Sequence, residues 1–180
     1  RVLFRSSEAA KEAGETTRFT ASQAADAMYS LASGGLSAVE VVDSLNGVLM
    51  LAGATQSSLS EASQLTVATL NQYNLAAEES TRISNVFAAS IANSMANMEK
   101  LTGGMRQVGP VASAMGLSIE ETVASLSALY DAGFRGEQAG TALRAILASI
   151  ASEADPTTRK LMEMGLTFDQ INPAEIGRAS

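Results

Sequence analysis

This sequence predicts an all-α fold, a bundle of short to medium helices joined by glycine-capped turns, and three observations carry the prediction. Capping-box tetrads mark helix starts, apolar residues recur at spacings of three and four, and β-type alternation is absent over any useful length. The pattern predicts helices over 7–13, 21–33, 38–52, 59–73, 76–100, 105–115, 119–132, 137–153 and 157–164.

Each element has its own signal. Ser37-Ala38-Val39-Glu40, Ser58-Leu59-Ser60-Glu61 and Ser118-Ile119-Glu120-Glu121 fit the capping box, in which serine accepts from the N3 amide and glutamate reaches back to the cap amide. Leu36 and Val41 stand where a hydrophobic staple would fix the first of these. Glycines at 34–35, 53, 103–104, 116, 133 and 165 are expected helix ends, and Pro110 and Pro156 are further expected boundaries. Val41, Val42, Leu45, Val48, Leu49 and Ala52 form one stripe, and Ile119, Val123, Leu126, Leu129 and Tyr130 form a second. A third holds Ala139, Leu143, Ile146, Leu147 and Ile150. Gly-Leu-Ser before a glutamate-bearing helix occurs at Gly35-Leu36-Ser37 and at Gly116-Leu117-Ser118, a faint internal repeat. Leu129 to Phe134 resembles its first half.

Composition narrows the function classes. Hydrophobic residues make up 46% of the 180 and charged residues 17%, the balance of a chain that buries a core. Aromatics are only 4% and tryptophan is absent, so helices must meet through small side chains. Three prolines in the whole length favour helix. The net charge of -7 repels nucleic-acid phosphates, and the basic residues do not cluster. No basic amphipathic stretch suits an anionic bilayer, and no signal-peptide pattern opens the chain. The longest uninterrupted apolar run, Val48 to Ala52, falls far short of the ~20 residues of a membrane helix, so no membrane segment is expected. The lack of cysteine excludes disulfides and thiolate metal sites.

The two ends read differently from the rest. Arg1 to Ser6 shows no helical pattern, and Leu3 to Ser6 can be encoded as CTC TTC CGA TCT. The reverse complement, shifted one frame, reads GAG ATC GGA AGA G and encodes Glu175-Ile176-Gly177-Arg178. That element resembles the adapter ligated to DNA for short-read sequencing. The expected organisation is therefore a native region at 7–174, flanked by adapter-derived runs at 1–6 and 175–180, with the natural protein continuing beyond both.

Catalytic chemistry finds little to work with. Histidine and cysteine are both absent, so the usual nucleophilic triads cannot be assembled. Glu78-Glu79 and Glu120-Glu121 are the adjacent acid pairs, but helix neighbours point about 100° apart, and helix-start charge is the reading adopted for both. Asp155-Pro156-Thr157 reads as a helix stop and restart, and no calcium-loop pattern occurs. Gly103-Gly104-Met105-Arg106 lacks the spacing and lysine of a phosphate loop, and Gly133-Phe134-Arg135-Gly136 is no better; both read as turns. Met28, Met50, Met95, Met98, Met105, Met115, Met162 and Met164 suit either core filling or an adaptable surface. No catalytic, cofactor-binding or metal-binding residue is assigned. Gly136 and Gly140 lie one helical turn apart, which predicts a close helix contact, and Gly133 to Arg144 is the expected tightest helix-turn-helix of the chain.

Three stretches then carry a family likeness: Leu70 to Leu75, Val108 to Thr122, and Ala132 to Arg144. In this order they resemble the core region of phage tail tape-measure proteins. The Ala25 to Leu31 helix with Gly35-Leu36-Ser37 resembles the opening of that region, and Asp155-Pro156-Thr157 with Leu161 and Gly165-Leu166 resembles its close. The likeness spans roughly residues 19 to 168. It implies a structural protein inside the tail tube, around which tube subunits polymerise and which later leaves to let DNA pass. Implied partners are the major tail tube protein, tail assembly chaperones, tail tip or baseplate proteins, and further copies of itself. Implied locations are the tail tube lumen of the virion, and the host cytoplasm during assembly. The likeness carries over no catalytic residue and no cofactor. A bacterial helical scaffold or secreted interaction protein shares the composition and stands as the alternative.

Overall fold

The computed structural model describes residues 2–151 and, beyond them, Lys160, Glu163 and Met164; residues 2–5 and Thr16 are described by backbone alone. Of the expected helix at 157–164 only Lys160, Glu163 and Met164 are described; the Asp155-Pro156-Thr157 boundary, Met162 and the Gly165 end lie outside the described residues. Within them the chain is all-α: α1 (Val2–Thr16), α2 (Ala21–Ser33), α3 (Ala38–Thr55), α4 (Leu59–Tyr73), a 3₁₀ turn (Ala77–Glu79), α5 (Ser80–Asn93), α6 (Met98–Ala114), α7 (Ile119–Asp131) and α8 (Gly136–Ala151). It divides into two compact units at the start of α6, Arg1–Met98 and Glu99–Ser180.

Helix starts follow the sequence closely. Ser37, Ser58 and Ser118 accept from the amides of Glu40, Glu61 and Glu121, whose carboxylates accept from the cap amides in return. Thr20 and Gln23 close a fourth box, which a search for serine paired with glutamate passes over. Helix ends are equally uniform. The Leu36, Leu75, Leu117 and Phe134 amides donate back to Leu31, Leu70, Ala112 and Leu129, while the residue before each donates to Ala32, Asn71, Ser113 and Tyr130. This is the Schellman arrangement, with an αL residue followed by an apolar one. Asn74, at φ 48°, fills the αL position after α4, and Gln56, at φ 55°, is αL after α3. Neither is a glycine, so glycine counting does not find them.

Other glycines do not end helices. α3 passes through Gly53 to Thr55, whose hydroxyl donates to the Leu51 carbonyl. α6 is continuous through Gly103, Gly104 and Pro110, where the sequence predicts boundaries. The expected single helix over 76–100 is instead a 3₁₀ turn, α5, and a break at residues 94–97. Ser94 makes that break: its backbone is extended, at φ -146° and ψ 179°. Its hydroxyl donates to the Ser90 carbonyl at 2.8 Å and accepts from the Ala96 amide at 3.1 Å. A serine side chain that satisfies local backbone groups competes with helix continuation. At the other end, α1 starts at Val2, inside the run that shows no helical pattern.

In the first unit α3 is central, packed against α1, α2, α4 and α5. Val41, Leu45, Val48, Leu49 and Ala52 from its expected stripe are buried, with Phe87, Ile83, Leu65, Leu70 and Leu31 around them. Averaged over its 18 residues α3 has mean hydropathy 1.3, long and apolar enough to cross a membrane by length and composition, which the search for an unbroken apolar run does not detect. Here it is the core helix of a bundle, and its polar contacts are made inward. The Ser84 hydroxyl donates to the Gly47 carbonyl at 2.7 Å, and the Ser44 hydroxyl to the Ala77 carbonyl.

In the second unit Leu101, Met105, Val108, Leu117, Ile119, Val123, Leu126, Tyr130, Leu143 and Leu147 form the core. Three expected members differ: Leu129 and Ile150 are only half-buried and Ile146 is 49% exposed. A helix stripe covers a limited arc, and these residues lie outside its most buried part.

Candidate functional site

The most tightly built feature is the crossing of α6 and α8. A Cβ on Gly140 would lie 2.8 Å from the Gly104 Cα and would strike the Gly104 carbonyl oxygen. One turn earlier, a Cβ on Gly136 would lie 2.7 Å from the Lys100 Cα. Backbone meets backbone at both points, as the Gly136 to Gly140 spacing predicts. Close packing of α7 and α8 on α6 explains why Gly103 and Gly104 sit within a helix. A side chain on Gly104 would strike the Tyr130 hydroxyl, and one on Gly103 would come 3.1 Å from Glu137.

Tyr130 of α7 locks this arrangement. It is fully buried, and its hydroxyl donates to the Lys100 carbonyl at 2.8 Å. The Lys100 ammonium stands 5.6 Å from the centre of its ring. Burial pushes the Tyr130 phenol above its ordinary value, so it serves as a neutral hydrogen-bond donor. Arg106 and Glu137 pair across α6 and α8 in the open. Sequence reasoning places Tyr130 only in an apolar stripe; its polar role depends on α6 supplying a carbonyl, which no local pattern encodes.

Arg18 has a comparable role in the first unit. Its guanidinium donates to the Ala52 carbonyl at 2.8 Å and lies over the Phe19 ring at 4.8 Å. α3 has no basic residue in its last turn, so Arg18 supplies the cation that a helix C-terminus favours from 34 residues away in sequence.

The remaining candidates fall to structural roles. Glu79 pairs with Arg82 one turn on, at 2.9 Å, and Glu121 closes the Ser118 capping box. Glu40 and Glu61 are held below the ordinary carboxylate value by the hydrogen bonds of Ser37 and Ser58, side chain first and backbone second. Gly103 to Arg106 is helix, and Gly133 is a Schellman turn at φ 91°. The methionines divide: Met28, Met98 and Met105 are buried, while Met50, Met95 and Met164 are 46%, 64% and 71% exposed. Tyr29, Val39 and Phe134 are also exposed large apolar residues. Among the described residues no group of three or more acidic residues is placed to hold a metal ion. An apolar depression between α1 and α2, lined by Ala10, Ala21, Ala25 and Met28, has only Ser6, Ser7 and Lys11 as its polar groups. Among the described residues these side chains position helices against one another.

Comparison with known proteins gives a consistent answer. A family model described as phage-related minor tail protein matches residues 7–179. The tape measure protein of Pneumococcus phage Dp-1 is 36% identical over 170 residues, which is 94% of this chain and 15% of that protein. The probable tape measure protein of Escherichia phage P2 is 27% identical over 157 residues, 87% of this chain and 19% of that protein. The chain thus spans less than a fifth of each relative's length. No solved structure matches it.

Proposed function

The chain belongs to the phage-related minor tail protein family, and from that premise we propose that this structural tail protein is the compact core region of a tape measure. In this reading the complete protein occupies the tail tube lumen, tube subunits polymerise around it, and its length sets theirs. An extended helical stretch gains ~1.5 Å per residue, which makes chain length a ruler. The region described here, folded back into short helices, anchors the tape, and longer helical stretches elsewhere in the chain measure. Tail tube protein, tail assembly chaperones, tip or baseplate proteins and further copies of the chain are its partners. It meets them in the host cytoplasm during assembly and leaves the tube when DNA passes.

The observation that carries this reading is likeness to tape measure proteins over nearly the whole chain. The test is genetic. In a phage carrying this gene, deletions in the longer helical stretches of the complete protein, outside the region described here, should shorten tails in electron micrographs by ~1.5 Å for each residue removed. Deletion of 38–151 should leave no tails of defined length. Tails of parental length in both cases would refute the proposal.

We propose further that the region has no turnover of its own. Activity on peptidoglycan, peptide or nucleic acid that survives purification and disappears on one substitution would refute that. The adapter-derived reading of 1–6 and 175–180 is likewise a proposal, decided by the nucleotides that encode both ends.

A further inference from the structure

The faint Gly-Leu-Ser likeness of the sequence does not mark the true period of the fold. Shifting the chain by 60 residues lays α6, α7 and α8 over α3, α4 and α5. α3 starts at Ala38 and α6 at Met98; α4 starts at Leu59 and α7 at Ile119. The αL residue Gln56 meets Gly116, and the capping box Ser58 to Glu61 meets Ser118 to Glu121. The Schellman residues Asn74 and Gly133 correspond one residue out of step: α7 is two residues shorter than α4, 13 against 15, and Ala132 stands between its end and Gly133. The third helices start at Ser80 and Gly136, four residues short of the interval, and their buried positions return to it.

Burial repeats at the same interval. Val41, Leu45 and Val48 of α3 correspond to Leu101, Met105 and Val108 of α6, all buried. Leu59, Thr66 and Leu70 of α4 correspond to Ile119, Leu126 and Tyr130, and Ile83 and Phe87 of α5 to Leu143 and Leu147, again all buried. The third helix crosses the first by close backbone approach in both sets. A Cβ on Gly47 of α3 would lie 2.7 Å from the Ser80 carbonyl carbon at the start of α5, as one on Gly140 of α8 would meet Gly104 of α6. The starts of the first two helices, the first αL position, the cap, the buried stripes and the backbone crossing are separate properties, and a generic three-helix hairpin does not require them to share one interval.

We infer that α3–α5 and α6–α8 are two copies of one three-helix repeat 60 residues long, and that each copy opens as its own cooperative unit, the first together with α1 and α2. Contacts in the first unit support this: helices there pack chiefly on those one or two places away in the chain. Stability then resides in local units, as in repeat proteins. The copies differ in lining. The first buries Ser44, Ser63, Thr66 and Ser80 where the second has Gly104, Val123, Leu126 and Gly140, and the Thr66 and Ser80 hydroxyls have no hydrogen-bond partner. The first unit is therefore the weaker and opens first, so the region yields in two steps and not all at once.

Amide hydrogen exchange of the full chain, followed by mass spectrometry, tests this. Protection should recur at a 60-residue interval and be lower in 38–93 than in 98–151. Gly140→Ala should speed exchange in α6–α8 by about tenfold or more and leave α3–α5 within about twofold of the parent. Thr66→Val, which is not expected to unfold anything, should slow exchange in α1–α5 and leave α6–α8 unchanged. Equal changes in both units with either variant, or protection without the 60-residue recurrence, would overturn the inference.

Discussion

Three residues illustrate how little of the stabilising chemistry can be read from residue type. Gly140 sits inside a helix at a propensity cost of ~1 kcal/mol, and it is kept because the Gly104 backbone occupies the space a methyl group would need. Gly140→Ala should therefore destabilise the second unit by ~1–3 kcal/mol despite alanine's better propensity, measured by urea unfolding; an unchanged midpoint would remove the close-contact reading. Thr66 is the opposite case. Its hydroxyl is buried without a partner, so Thr66→Val should raise stability by ~1 kcal/mol, since valine keeps the shape and discards the unmet polar group. Tyr130→Phe should cost about as much, because it loses the bond to the Lys100 carbonyl. The phenol also has a pH signature. A group whose folded-state value is raised contributes stability below its unfolded value and loses it as pH climbs, so the second unit should weaken above about pH 10, and Tyr130→Phe should flatten that decline.

At the scale of the helix, one connector does most of the joining. An αL residue, an apolar residue and a cap residue link α2 to α3, α4 to the 3₁₀ turn, α6 to α7, and α7 to α8. Ser118→Ala should cost ~1 kcal/mol by freeing the Glu121 amide and unfastening its carboxylate, seen as a lower melting temperature. Gly133→Ala should cost ~1–2 kcal/mol for a different reason: open space surrounds it, so the penalty is its φ of 91° alone. The boxes also tie these helices to pH. Glu40 and Glu61 have lowered folded-state values, so their contribution is complete above the unfolded carboxylate value and disappears as pH falls through the folded one. The α3 and α4 starts should thus fray below about pH 4, a change that helix-start amide exchange should register and that Glu61→Gln should shift.

For the whole molecule, two units in one chain matter more than any single site. α3 is the apolar centre of the first unit, and its C-terminus is held from a distance by Arg18. Arg18→Ala should lower the stability of that unit by ~1–2 kcal/mol while the second unit melts as before. A single transition shifted as a whole would argue against separate units. Proteins it resembles over most of its length are tape measure proteins.

The sequence by itself determined the class and most helix starts, because caps and apolar stripes act within a few residues of one another. Ser37, Ser58 and Ser118 begin their helices whatever packs against them. It also held the family, since Leu70 to Leu75, Val108 to Thr122 and Ala132 to Arg144 keep their order. Tertiary structure decided what a glycine or a serine does. Gly116 and Gly133 end helices while Gly53, Gly103 and Gly104 do not, and only the presence of Tyr130 and α8 against α6 separates Gly103 and Gly104 from a turn. The 60-residue repeat was invisible for the same reason. Its copies exchange hydroxyls for hydrocarbon and glycine at matched buried positions, so what is conserved between them is the distance between helices and not the residues that set it.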